Sequence, residues 1–98
     1  MLSKRIKSLR LERNWSQVEL AKLLHVTKQS VSNWENDNIQ PSIEMLVKIS
    51  EVFSVSADYL LGIEDRRYIE ITDLTDEEVG HIQQVIEDIQ RYKNRDPH

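Results

Sequence analysis

The stretch from Val26 to Asp37, VTKQSVSNWEND, sets lysine, glutamine, serine and asparagine side chains around one apolar stripe and holds no carboxylate before Glu35. At helical spacing Val31 and Trp34 turn inward, which leaves Lys28, Gln29, Ser32 and Asn33 on the outer side. These residue types suit one recognition chemistry. A glutamine amide pairs bidentately with the edge of adenine, and a lysine ammonium reaches the O6 and N7 acceptors of guanine. A solvated amphipathic helix presents a similar face, so the surrounding elements must decide between the two.

Those elements are punctuated by an apolar residue followed by a hydroxyl residue, at Trp15-Ser16, Val26-Thr27, Val55-Ser56 and Leu74-Thr75, with Leu2-Ser3 as a fifth case. Each pair reads as a helix start. The hydroxyl caps the free amides of the first turn, and the apolar residue before it staples onto Leu20, Val31, Leu60 or Val79, five positions on. Ser16 with Glu19 and Thr75 with Glu78 complete capping boxes, while Pro41-Ser42 ends one element and opens the next. The spacing predicts helices over 3–13, 16–24, 27–36, 42–53, 56–61 and 75–93, with Gly62 as a C-terminal stop. The fold class is all-α. Residues 1–62 form the domain, 63–74 a linker whose Tyr68-Ile69-Glu70-Ile71 is either extended or a short strand, and 94–98 a flexible tail. Only Leu24, His25 and Val26 separate the second helix from the Thr27 cap. Such a corner is a helix-turn-helix, and the small Ala21 lets its two helices cross closely.

Composition bounds the alternatives. Ninety-eight residues support one small core, and two glycines and two prolines favour helices over sheet turns. Without cysteine there is no disulfide and no thiolate metal site; no apolar run is long enough to span a membrane or form a signal-peptide core, so a cytoplasmic protein is expected. The net charge of −4 is unevenly spread: residues 1–62 hold eight Lys/Arg against seven Asp/Glu (+1), and residues 63–98 hold five against ten (−5). The acidic total therefore neither supports nor excludes a polyanionic partner. An enzyme is disfavoured. There is no cysteine nucleophile and no glycine-rich phosphate loop, and His25, His81 and His98 lack ligand spacing and read as solvated surface residues, so neither metal nor cofactor is expected.

The segment SQVELAKLLHVTKQSVSNWENDNIQPS resembles the helix-turn-helix of the Xre/Cro class of bacterial and phage repressors, and the resemblance continues through FSVSADYLLG, covering roughly residues 3–62. It implies a five-helix lambda-repressor-like domain that binds double-stranded DNA. By that resemblance Lys28, Gln29, Ser32 and Asn33 contact bases, with Ser30 nearby on a phosphate. Gln17, at the start of a helix whose free amides attract anions, is a phosphate anchor. Asn36 and Asn38, beyond the third helix, either donate to phosphates or serve as turn residues. Arg10 lies four after Ile6 and Glu35 four after Val31, each on an inward stripe, and the resemblance supports an ion pair between them. The class usually has glycine where His25 and Asp37 stand, so both positions are expected to take positive φ.

The last predicted helix matches its own dipole, with acidic Asp76, Glu77 and Glu78 first and Arg91 and Lys93 near its end. Val79, Ile82, Ile86 and Ile89 fall at 3-4-3 spacing, a coiled-coil seam too short to be stable alone. It pairs with a second subunit or packs on its own domain. Operators read by the resembled class are usually two half-sites, which favours a homodimer. The function expected is a sequence-specific transcriptional regulator, a repressor in the first instance. The alternative is an antitoxin or other interaction module whose acidic C-terminal helix captures a protein.

Overall fold

The computed structural model describes residues 1–95, which form six α-helices and no strand: α1 (Leu2–Glu12), α2 (Gln17–Leu24), α3 (Lys28–Glu35), α4 (Ile43–Phe53), α5 (Ala57–Leu61) and α6 (Asp76–Arg95). His98 and the last three positions of the expected 94–98 tail lie outside the described residues. Asn94 and Arg95 belong to α6 rather than to a tail.

Local chemistry sets the starts. The hydroxyls of Ser16, Thr27, Ser42 and Ser56 each accept the backbone N–H three residues on, and Thr75 does the same for Glu78. Glu19 and Glu78 return the bond to the backbone N–H of Ser16 and Thr75, at 2.9 Å in both boxes. Those bonds from Ser16, the backbone N–H first, hold the Glu19 carboxyl below its ordinary pKa. Ser3 does not cap α1. The helix opens one residue earlier, with the Met1 carbonyl accepting the Arg5 N–H at 3.1 Å, so the Ser3 hydroxyl falls inside the first turn.

The core is one cluster. Ile6, Leu9, Leu20, Ala21, Leu24, Val31, Trp34, Ile49, Phe53 and Leu60 are buried, and the stapling residues Trp15, Val26 and Val55 pack half-buried against it. α3 packs on α1 and α2, α4 on α2, and α5 closes the ring between α1 and α4. α6 takes no part in these packed pairs.

Between α5 and α6 the chain forms no strand, turns at residues 71–74 and is fastened to the body. The Arg5 guanidinium donates to the carbonyls of Tyr59 and Glu64 and to Asp65, the last at 2.9 Å, and stacks 4.1 Å above the Tyr59 ring. Arg67 pairs with Glu12 at 3.0 Å. The region expected as a plain linker is thus strapped down over its first five residues.

His25 and Asp37 adopt φ of 59° and 58°, joined by Asn14 at 58° and Ser54 at 54°. Ser54 ends α4 in the left-handed region one residue before the Val55-Ser56 start of α5. Of the four residue types, serine tolerates this region least. Ser54→Gly removes a left-handed penalty of about 1–2 kcal/mol and adds about 0.5–1 kcal/mol of chain entropy. We expect a net gain of up to about 1.5 kcal/mol, seen as a higher midpoint in urea melts, with the slope unchanged.

Candidate nucleic-acid interface

α3 stands on the surface with its N-terminus open. Val31 is fully buried and Trp34 is 7% exposed, which pins the inner face. Lys28 and Gln29 are exposed on the outer side; Ser30, Ser32 and Asn33 are half-buried beside them. Gln29 donates its amide to Asn33 Oδ1 at 3.0 Å, one turn along the same face. That bond leaves the Gln29 Oε1 and one N–H free, which is the acceptor-donor pair that adenine requires. Asn36 Nδ2 reaches Ser32 Oγ at 3.2 Å, and the Thr27 and Ser30 hydroxyls meet at 3.0 Å. The loop after α3 folds back: the Asn33 carbonyl accepts the backbone N–H of Asn38 at 2.9 Å, which leaves the exposed Asn38 amide side chain at the helix end.

The one acid within α3 is withdrawn from this face. Glu35 has a side chain only 2% exposed and takes both arms of Arg10, Nε to Oε2 at 2.7 Å and Nη2 to Oε1 at 2.9 Å. Arg10 also donates Nη1 to the Trp15 carbonyl at 2.7 Å. Its hydrogen bond to Glu35 raises the guanidinium pKa above its ordinary value, burial opposes this, and the Glu35 charge adds to the rise. No buried side-chain donor or acceptor among the described residues lacks a partner.

Gln17 joins the same network. Its Nε2 donates to Glu35 Oε1 at 3.2 Å, so the first residue of α2 is tied to the last residue of α3. Sequence reasoning missed this link because nothing in the local pattern joins residues so far apart. One carboxylate thereby gathers α1, the turn before α2, the α2 N-terminus and α3. The outer surface keeps amides, hydroxyls and one ammonium. Among the described residues no group of His, Asp and Glu is placed to hold a metal ion, and no helix is long and apolar enough to cross a membrane.

A short-turn pair of helices on a five-helix body, with an amide-rich second helix facing outward, defines a helix-turn-helix protein. Residues 6–60 match the helix-turn-helix family HTH_3, and the chain belongs to it. Members of this Xre/Cro-like family are DNA-binding transcriptional regulators, not enzymes. Among curated relatives, the HTH-type transcriptional regulator ImmR of Bacillus subtilis is 33% identical over 87 residues, 89% of this chain and 68% of its own length. The P22 c2 repressor solved with a synthetic operator superposes with a TM-score of 0.59 at 30% identity, covering 61% of this chain and 91% of that one. SinR solved with DNA gives 0.58 at 40% identity over 62% of this chain and 98% of its own. A SinR/SinI protein complex gives 0.59 at 29% identity and covers both chains fully.

Proposed function

We propose that this protein is a sequence-specific, double-stranded-DNA-binding repressor that acts in the cytoplasm as a homodimer on a two-half-site operator. The observation that carries the reading is the outer face of α3, rich in donors and stripped of its acid by the buried Arg10 pair. Lys28, Gln29, Ser32 and Asn33 read base edges in the major groove. Gln17, Ser30, Asn36 and Asn38 hold the flanking phosphates, which set register without carrying sequence information. The likeness to the P22 c2 repressor solved with an operator and to SinR solved with DNA supports this use of the face.

Gln29→Ala is expected to relax base preference at one position per half-site and to cost about 1–3 kcal/mol on the best site. Gln17→Ala should weaken all sequences alike. Selection of duplexes from a random pool, followed by titration, separates the two. An unchanged motif and affinity for Gln29→Ala would remove it from the groove.

A second reading rests on α6. Its apolar stripe is exposed from Val85 to Tyr92, and SinR, a neighbour in fold, has been solved with SinI as a protein complex. A protein partner that takes this helix would compete with dimerisation and so act on the same operator. Stoichiometric capture of a protein without any salt-dependent duplex binding favours the interaction-module alternative.

A further inference from the structure

The stripe on α6 runs through Val79, Ile82, Val85, Ile86, Ile89 and Tyr92, and the last four are 45%, 45%, 52% and 78% exposed. Its seam is symmetric along the helix. Val79 and Ile82 stand five and two residues before Gln84, and Ile86 and Ile89 stand two and five residues after it. Charge about the same residue is uneven: Asp76, Glu77 and Glu78 fill the first turn, whereas the other half holds Glu87 and Asp88 as well as Arg91 and Lys93.

We infer that α6 packs antiparallel on α6 of a second copy, with the two-fold axis passing between the helices at the level of Gln84; this rests on the homodimer reading above. In that register Ile82 meets Ile86 of the second copy and Val79 meets its Ile89, so every seam residue finds an apolar partner. Val85 flanks the axis beside its own copy. Lys93, fourteen residues after Val79 on the seam side, comes level with Thr75 and beside Asp76 of the other copy, which is the complementary arrangement, whereas Arg91 pairs with Asp88 of its own helix at 3.5 Å. A parallel in-register pair would bury the same four residues but bring Lys93 against its own copy. Like charges so placed repel.

The register also sets where the DNA-binding bodies emerge. Asp76 of the two copies is offset by sixteen residues, about 24 Å along the helix axis, so the bodies leave from opposite ends. Parallel helices would release them side by side. Half-sites one DNA turn apart lie about 34 Å from each other, a span that the opposed exits approach before the linkers add their reach.

The full chain contains no cysteine, so single spin-label sites are unambiguous. Glu77→Cys, Gln84→Cys and Arg91→Cys share one exposed helix face away from the seam. Pulsed dipolar distances between the two copies should be shortest at Gln84→Cys. Glu77→Cys and Arg91→Cys should be longer and similar to each other, because each adds an axial offset of about 21 Å. Three equal distances mean a parallel pair and overturn the inference. Dimers in sedimentation whose distances follow neither pattern mean another interface, and also overturn it. Monomers in sedimentation with no coupling at any site remove the homodimer reading itself.

Discussion

Ile86→Glu with Ile89→Glu in the full chain will lower affinity for a paired operator by roughly a hundredfold while leaving the single half-site motif unchanged. Both side chains are about half exposed, at 45% and 52%, and neither belongs to the core cluster, so the five-helix body should keep its melting transition. What changes is linkage. When two recognition helices are held together, the second contact is intramolecular and gains a high effective concentration, a benefit of about 10²–10⁴ that disappears with the dimer. Glutamate at the seam places charge where apolar residues must meet. Cutting the chain after Gly62 is the less clean experiment, because it also deletes Asp65 and the Glu64 carbonyl that Arg5 holds. Sedimentation and titration on paired and single half-sites check the result. A variant that still dimerises and binds the paired operator as tightly as the parent would show that α6 is not the linker between copies.

The second large effect lies in the body itself. Arg10→Met is expected to destabilise the fold by about 3 kcal/mol, since Glu35 would keep a charge at a site almost closed to solvent with only the Gln17 amide left to it. Arg10→Met with Glu35→Leu removes both charges and should recover much of the loss. Recovery will be incomplete, because the Trp15 carbonyl and the Gln17 amide each lose a partner. Denaturant melts of the four proteins in the double-mutant cycle measure the coupling. Losses that simply add would mean the two groups do not stabilise one another.

The helix starts were legible because capping is local: a hydroxyl, the amide three residues on and the acid that closes the box lie within four positions of one another. The outward placement of Lys28 and Gln29 was legible for a similar reason, since helical periodicity fixes a face once Val31 and Trp34 are assigned inward. Positive φ at His25 and Asp37 could be expected from the glycines of the resembled class. At Asn14 and Ser54 no such cue existed, and the sign of φ there follows from how little chain separates one helix end from the next hydroxyl cap. Ser3 misled because a hydroxyl after an apolar residue is a start signal only when the chain before it is not already helical. The tie from Gln17 to Glu35 and the fastening of residues 64–67 depend on tertiary approach between polar groups. Polar groups carry no periodicity to betray such an approach.

The fastening by Arg5 and Arg67 makes the segment before α6 a ruler. With both arginines engaged, residues 68–75 connect the fastened strap to α6, so in the proposed dimer they would set the distance between the two bodies. The two fastenings differ in kind. Arg67 and Glu12 are 43% and 49% exposed and open to screening, whereas Arg5 is 18% exposed and also holds two backbone carbonyls. Rising ionic strength therefore releases the outer mark first and lengthens each arm by two residues, about 7 Å when extended, while the inner mark stays set. In the proposed dimer this release would widen the half-site spacing tolerated as salt rises, separately from the phosphate contacts that salt also weakens.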